Sequence, residues 1–135
     1  MEKYVLDTSA LITLKDDEEG ADIVENILEK ARSQRAEIWV SFMSFMEVAY
    51  EAWRNQGKAS AHQALLALKM LPIERVDPDD ALLFKASEIK ATHPMSVADS
   101  WIAATALEKE AILVHKDPEF ESLEGKVRLK HLPYK

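Results

Sequence analysis

Residues 96–115, SVADSWIAATALEKEAILVH, place a helical pattern directly before a short apolar strand candidate. The positions that share the helical face of Asp99 lie three, four and seven residues further on, and they are Ile102, Ala103 and Ala106. The strand candidate AILVH at 111–115 is rich in branched residues, which is typical of a buried strand. The segment therefore predicts a helix–strand unit with a carboxylate on the core side of the helix start.

The same alternation of strands and helices extends over the rest of the chain. Segments rich in branched or aromatic residues predict five strands, at 3–6, 37–41, 71–76, 111–115 and 127–132. Helical patterns separate them, at about 17–32, 42–53, 58–70, 79–93 and 96–106. Strands joined through helices require right-handed crossovers and pair in parallel. We therefore predict an α/β fold of three layers, α/β/α, with a mainly parallel central sheet and a single domain over 1–135.

Apolar stripes on the helices predict which side chains face the core. The stripe of the second helix comprises Phe42, Phe45, Met46, Ala49 and Trp53. The third helix has Leu65, Leu66, Leu68 and Met70. Because Trp53 and Trp101 lie on such stripes, we interpret both as packing residues and not as platforms for base stacking.

Composition limits the class of protein and its partners. The chain has 135 residues, 47% apolar and 30% charged, and no cysteine, which is typical of a globular domain without disulfides. Its start has no apolar signal core, and its longest nearly apolar run, 38–46, is too short to span a bilayer. We expect a cytoplasmic protein without a membrane partner. The net charge of -7 argues against a general basic surface, so binding of nucleic acid would require a local patch or metal ions.

Four acidic residues fall where open parallel sheets bind ligands, at the carboxyl ends of strands: Asp7, Glu47, Asp99 and Asp117. Each also has an ordinary structural interpretation. Glu47 and Asp99 follow a serine at the spacing of a capping box, whereas Asp7 and Asp117 lie in sequences typical of turns or caps. Taken singly, these interpretations are favoured. Four caps have no reason to share one edge of one sheet, so together the acids indicate a metal site.

Four segments of the chain carry a resemblance to a known family: YVLDTSALI at 4–12, SFMEVAYE at 44–51, VADSWIAATA at 97–106 and LVHKDPEF at 113–120. In this order and at these spacings they resemble PIN-domain nucleases, most closely the VapC-type toxins of toxin–antitoxin pairs. The resemblance covers essentially the whole chain. It implies helices around a parallel sheet, a divalent metal, and cleavage of single-stranded or loop RNA to products with a 5′-phosphate and a 3′-hydroxyl.

The resemblance also assigns residues. It implies that Asp7, Glu47, Asp99 and Asp117 are the four catalytic acids, that Asp7, Asp99 and Asp117 are metal ligands, and that Ser9 supports the first acid. Glu47 is either a further ligand or a base that orients water. Where many members have Thr or Ser before the last acid, this chain has His115. His115 and Lys116 are candidates for phosphate contacts, although an end-of-strand histidine and a solvated lysine are the simpler interpretation.

The chemistry of the acids agrees with a divalent cation. Two carboxylates about 4 Å apart repel each other by roughly 4 kcal/mol at a partly buried site. One or two Mg²⁺ or Mn²⁺ ions would remove that penalty, since both prefer oxygen ligands. The resemblance further implies a small antitoxin that covers the acidic pocket, often with an arginine, and a homodimer formed through helices. The aromatic and Met-rich segment 42–53 is a candidate for an exposed apolar groove.

Two other classes of protein remain open from the residues alone. A receiver-like phosphotransfer module would use an Asp at a strand end, but the first strand ends in one acid and not in an adjacent pair. A non-catalytic interaction domain would use the acids only as helix caps. Stabilisation by manganese separates the metal site from the interaction domain, because only the metal site predicts it.

Overall fold

The five predicted strands are all present in the computed structural model, which describes residues 1–135. The strands are β1 (Glu2–Leu6), β2 (Ala36–Ser41), β3 (Glu74–Val76), β4 (Ile112–His115) and β5 (Leu129–His131). The helices are α1 (Thr8–Lys15), α2 (Ala21–Arg32), α3 (Phe42–Gln56), α4 (Lys58–Lys69), α5 (Asp80–Thr92) and α6 (Val97–Lys109). A short 3-10 helix, Pro118–Leu123, follows β4. No helix is long and apolar enough to cross a membrane.

The strands form one sheet in the order β3-β2-β1-β4-β5, and every pairing is parallel. In the centre, Val5 of β1 lies opposite Trp39 of β2 on one side and Leu113 of β4 on the other. The chain adds β2 and β3 on one side of β1 and then crosses to β4 and β5 on the other side. The order of connections therefore reverses between β1 and β4, and ligands of open α/β sheets bind at such a point.

Two apolar cores cover the two faces of the sheet. Successive residues of β1 alternate between them, with Leu6 in the core beneath α1 to α4 and Val5 in the core beneath α5, α6 and the 3-10 helix. β2 alternates in the same way, since Val40 belongs to the first core and Trp39 to the second. Helices on both faces of a parallel sheet confirm the predicted α/β/α architecture.

One helix was missed, and its neighbour begins later than predicted. Asp7 closes β1 and caps α1, because its side chain accepts the backbone N–H of Ser9. α1 ends where Asp17 adopts a positive φ of 50°, and α2 begins only after Gly20, whose φ is 101°. A Cβ on Gly20 would lie 3.1 Å from the Cδ of Pro133, so close packing as well as backbone conformation favours glycine there. The segment 8–15 was not predicted as a helix, and the predicted helix at about 17–32 corresponds to α2 alone.

The predicted stripe of α3 is wrong in phase. Ser44, Phe45, Val48 and Ala52 are the buried residues of this helix, whereas Met46 and Trp53 are about half exposed. Ser41 caps α3 directly at the end of β2, and this junction sets the rotation of the helix about its axis. Trp53 is therefore not a core residue. Trp101 is partly buried and contacts the Phe42 ring edge-on, with the ring centroids 5.1 Å apart.

α4 shows a similar difference. Leu65 packs on the first core and Leu68 is buried within it, but Leu66 and Met70 are exposed. α4 packs mainly on α3 and so offers only a narrow face to the interior. The apolar residues on its outer side lie on the protein surface.

Candidate metal centre

Three carboxylates converge at the edge of the sheet next to the reversal between β1 and β4. Asp99, Asp117 and Glu119 each offer one oxygen, and these oxygens all lie within 4.8 Å of one another. Asp99 lies in the first turn of α6, and Glu119 belongs to the 3-10 helix. Asp117 is the second residue after the end of β4. The structure thus brings two of the predicted acids together and adds Glu119, which the sequence analysis missed.

Asp7 lies beside this cluster and is 3% exposed. Its Oδ2 accepts the backbone N–H of Ser9 at 3.0 Å and also the Ser9 hydroxyl. Its Oδ1 is buried and has no hydrogen-bond partner. The capping interpretation of Asp7 is therefore correct for one oxygen only. A buried carboxylate oxygen without a hydrogen-bond partner is costly, so Oδ1 is open to a further ligand.

The charges of these acids act on one another. Burial raises the pKa of the Asp7 carboxyl to about 6, the bonds from Ser9 act against this rise, and the charge of Glu47 adds to it. Burial, together with the charges of Asp7, Asp117 and Glu119, raises the pKa of Asp99 to about 7. The nearby Ser96 hydroxyl has a smaller opposing effect. Asp7 and Asp99 are thus coupled although they are distant in sequence, and both ionise at a cost.

Asp99 does not make the reciprocal bond of a capping box. The Ser96 hydroxyl caps α6 by accepting the N–H of Asp99 at 3.1 Å, which is the expected first half of the motif. The second half would bond the N–H of Ser96 to the carboxylate of Asp99. That N–H instead donates to Oε1 of Glu119 at 3.1 Å. The Asp99 carboxylate is consequently not occupied by the helix start.

Asp117 does cap a helix, as its position before a proline predicted. Its Oδ1 accepts the N–H of Glu119 at 2.9 Å, at the start of the 3-10 helix. Its own N–H donates to Nδ1 of His115 at 3.2 Å. Both contacts fix the direction of the side chain, and one carboxylate oxygen remains for another ligand.

His115 is fully buried and is not one of the converging groups. The ring is fully buried, with its centroid 5.2 Å from that of Phe120 and 6.2 Å from that of Tyr134. Burial lowers the pKa of His115, and because Nδ1 accepts the N–H of Asp117, the proton of the neutral ring is on Nε2. The geometry places His115 as a packed end-of-strand residue that holds the backbone of Asp117.

Glu47 lies on the other side of Asp7, and Thr8 holds it. The Thr8 hydroxyl donates to Oε1 of Glu47 at 2.6 Å, and a second hydrogen bond of 2.9 Å joins Thr8 to the Ser44 hydroxyl. The proposed Ser44–Glu47 capping box is wrong, because Ser41 caps α3 and Ser44 is a buried residue of its first turn. Glu47 is outside the group of three converging carboxylates, but its charge acts on Asp7.

Ser9 and Lys116 connect the first strand to the fourth. The Ser9 hydroxyl donates to Asp7 and accepts the backbone N–H of Lys116 at 2.8 Å. The Lys116 side chain is 6% exposed, 3.4 Å from Glu18 and 2.8 Å from the carbonyl of Glu19. Lys116 is therefore a paired and buried lysine, so the simpler interpretation of a solvated side chain is wrong. Its pairing turns the ammonium toward the loop between α1 and α2.

The donor set fits a hard divalent cation. All the groups that converge are carboxylates, the chain has no cysteine, and the histidine nearest the cluster is fully buried. Oxygen-only sites of this kind suit Mg²⁺ or Mn²⁺. The unpartnered Oδ1 of Asp7 and the raised pKa of Asp99 are both costs that a bound cation would remove.

Comparison with known proteins gives one family and several similar structures. The family model described as PIN domain matches residues 4–126. A structure of VapBC2 from Rickettsia felis bound to promoter DNA has a TM-score of 0.79 at 20% identity, covering 97% of this chain and 99% of that chain. For DNA-bound VapBC from Salmonella typhimurium the TM-score is 0.77 at 22% identity, with 97% and 98% covered.

A third similar structure is VapC20 from Mycobacterium tuberculosis, described as a toxin that cleaves the sarcin-ricin loop. Its TM-score is 0.70 at 17% identity, with 94% of this chain and 98% of that chain covered. A comparison with curated protein sequences gave no match. At these identities the similar structures establish the fold of the chain.

Proposed function

The chain belongs to the PIN-domain family, and on that premise we propose that it is a metal-dependent endoribonuclease, the toxin of a toxin–antitoxin pair. The observation that carries the proposal is the convergence of Asp99, Asp117 and Glu119 beside the buried, half-satisfied carboxylate of Asp7. Three separate parts of the chain contribute these acids. Asp7, Asp117 and Glu119 each make a capping contact through one oxygen, but these contacts do not require the acids to gather at one point.

We propose that Asp7, Asp99 and Asp117 hold one or two Mg²⁺ or Mn²⁺ ions. When bound, such an ion lowers the pKa of a water molecule and neutralises charge on the phosphodiester. Asp7 contributes its unpartnered Oδ1, because Oδ2 is bonded to Ser9. Asp99 contributes a carboxylate that the helix start leaves free, and Asp117 contributes the oxygen that does not cap the 3-10 helix.

Glu47 has a different role in this proposal. Thr8 fixes one of its oxygens, so the other can orient a water molecule near Asp7 and accept its proton. Attack by that water on phosphorus, in line with the leaving 3′-oxygen, leaves a 5′-phosphate and a 3′-hydroxyl. The protein thereby binds a polyanion in spite of its net charge of -7, since the cations compensate the acids locally.

Incubation of the purified protein with structured and single-stranded RNAs tests the activity. We expect cleavage in Mn²⁺ or Mg²⁺, no cleavage in EDTA, and fragments that carry a 5′-phosphate. Mapping of the cut ends by primer extension identifies the preferred sequence or loop. Undiminished cleavage in the chelator, or products with a 2′,3′-cyclic phosphate, would contradict a metal-dependent mechanism.

The hydrogen bond from Thr8 to Glu47 gives a second prediction. Thr8→Val keeps the shape of the side chain but removes this donor, so Glu47 loses its fixed direction. We expect cleavage to fall about tenfold to a hundredfold, as for other residues that orient an active-site group. Affinity for Mn²⁺ should change much less, because Glu47 is outside the three converging carboxylates. Thr92→Val, which alters an exposed hydroxyl at the end of α5, is the matched control and should cleave normally.

Partners form the last part of the proposal. We propose a small antitoxin, which the similarity to VapBC complexes supports. An apolar cavity of about 370 Å³ between α1, α3 and α4, lined in part by Leu11, Val48 and Leu68, offers space for an apolar segment of such a partner. Co-purification with the product of the adjacent reading frame tests the antitoxin.

We also propose that the chain acts as one nuclease domain and as a homodimer. Its location would be the cytoplasm, where its RNA substrate is found. Sedimentation equilibrium tests the dimer.

A further inference from the structure

The start of α6 is arranged in an unusual way. Ser96 is the N-cap and Asp99 is the third helical residue, which is the position of the carboxylate or amide in a capping box. In that motif the third residue bonds back to the N–H of the N-cap and satisfies it. Glu or Gln is the usual residue there, and Asp99 is one methylene shorter.

Glu119 makes the bond that the motif would assign to Asp99. Its Oε1 accepts the N–H of Ser96 at 3.1 Å, from a segment 23 residues further along the chain. The backbone of Glu119 is held in turn, because its N–H donates to Oδ1 of Asp117 at 2.9 Å. A chain of contacts thus joins the start of α6 to the 3-10 helix, through Ser96, Glu119 and Asp117.

We propose that Glu119 is a positioning residue, which takes over the capping contact of Ser96 and so keeps the Asp99 carboxylate available for a divalent cation. This inference rests on the metal centre of the proposed function. Because Glu119 accepts the N–H of Ser96, the reciprocal hydrogen bond of the capping box, from that N–H to Asp99, does not form. The N–H of Ser96 needs one acceptor, and the carboxylate that supplies it is turned toward the helix start, with one of its two oxygens occupied.

The location of Glu119 suits this role. Glu119 is exposed, whereas Asp99 is partly buried and Asp7 is fully buried, so the capping contact falls to the outermost of these acids. A carboxylate at a helix N-terminus also interacts favourably with the helix dipole. Independently of this contact, the unpartnered Oδ1 of Asp7 indicates a ligand at the same cluster. Asp99 itself offers an oxygen within 4.8 Å of oxygens of Asp117 and Glu119.

Comparison of Glu119→Ala with Glu119→Gln tests the proposal. Both variants remove the same charge, but only the glutamine side chain still offers an oxygen to the N–H of Ser96. In the alanine variant we expect Asp99 to turn back to Ser96. The dissociation constant for Mn²⁺, measured by titration calorimetry on the intact protein without RNA, should be at least about tenfold larger for Glu119→Ala than for Glu119→Gln.

Controls separate this effect from charge, folding and the metal site itself. Glu124→Gln removes an exposed acid at the end of the 3-10 helix and should bind Mn²⁺ like the wild type. Melting temperatures in EDTA should differ by only a few degrees among the variants. Equal affinities of Glu119→Ala and Glu119→Gln would overturn the positioning role. If the wild type itself fails to bind Mn²⁺, the metal centre of the proposed function is wrong, and the role of Glu119 is wrong with it.

Ser96→Pro provides a second test on a different residue. It removes the N–H for which the two acids compete together with the hydroxyl that caps α6, and the φ of -67° at Ser96 is one that proline adopts. Ser96→Ala, which removes the hydroxyl and keeps the N–H, is therefore its matched control. In the Ser96→Pro background the affinities of Glu119→Ala and Glu119→Gln for Mn²⁺ should converge, because Asp99 has no cap to make. A difference of tenfold or more that persists in Ser96→Pro would show that Glu119 acts on the metal in another way.

Discussion

Asp99→Asn is expected to reduce RNA cleavage by at least about a hundredfold and to leave the metal-free protein as stable as the wild type or more stable. Burial and the charges of Asp7, Asp117 and Glu119 all disfavour the ionised form of Asp99. The neutral amide removes that repulsion, while the cap of α6 depends on the Ser96 hydroxyl and on Glu119. The substitution therefore separates the function of this side chain from the stability of the fold.

Two measurements check this expectation: cleavage rates in Mn²⁺ and urea denaturation in EDTA. Asp79→Ala is the matched control, because the Asp79 side chain caps α5 by accepting the N–H of Leu82 at 2.8 Å. Loss of that cap should cost about 1 kcal/mol of stability without affecting cleavage. If Asp99→Asn behaved like Asp79→Ala, with reduced stability and normal cleavage, Asp99 would be only a capping residue.

The second large effect expected is a loss of stability as the metal-free protein is brought from pH 5 to pH 8. The pKa of Asp7 is raised to about 6 and that of Asp99 to about 7, both above the ordinary value of an aspartate in the unfolded chain. The folded protein thus binds these protons more tightly than the unfolded chain does. Their stabilising contribution is complete below about pH 4 and is lost as the pH rises through 6 and 7.

The contribution of Asp7 to this loss of stability can be given a size, because its carboxyl is fully buried. A rise in its pKa from 3.8 to about 6 corresponds to a contribution on the order of 3 kcal/mol, and the partly exposed Asp99 adds less than its own shift suggests. The free energy of unfolding should depend much less on pH in the double variant Asp7→Asn/Asp99→Asn. This comparison separates these two groups from the remaining acids. If the free energy of unfolding in EDTA changed with pH equally in the wild type and in the double variant, the assignment of the raised pKa values would be contradicted.

Metal binding should reverse the loss at high pH. At pH 8 the acids are ionised, so Mn²⁺ at a hundredfold excess over its dissociation constant adds about 2.7 kcal/mol to the free energy of unfolding. At pH 5 protons occupy the same oxygens, and the same addition should have little effect. A stabilisation by Mn²⁺ that is equal at both pH values, or equal in the double variant, would place the ion elsewhere on the protein.

The sequence predicted which acids lie near one another better than it predicted which helix residues are exposed. Three of the four predicted acids, Asp7, Asp99 and Asp117, occupy adjacent positions at the reversal between β1 and β4, because parallel strands have their carboxyl ends together. The stripes of α3 and α4 failed for residues such as Trp53 and Met70. Apolar periodicity predicts that a helix is present. Which face of the helix is buried depends on its rotation about its own axis, which the strand junction and the neighbouring helices set.

Glu119 shows the limit of arguments from spacing. The only local signal for it is its place two residues after Asp117 in the sequence DPE, which also fits an ordinary exposed acid. Its contact with Ser96 crosses 23 residues and exists only because α6 and the 3-10 helix pack on the same face of the sheet. The same is true of Thr8 and Glu47, which α1 and α3 bring together on the opposite face.

The amino-acid sequence by itself determined the alternation of strands and helices, the parallel sheet that follows from it, and the edge at which acids gather. These features depend on local periodicity and on the fixed hand of crossover connections. The tertiary structure decided which carboxylate oxygens are occupied and which are free. That choice depends on hydrogen bonds between segments distant in sequence, where one N–H, such as that of Ser96, has room for one acceptor.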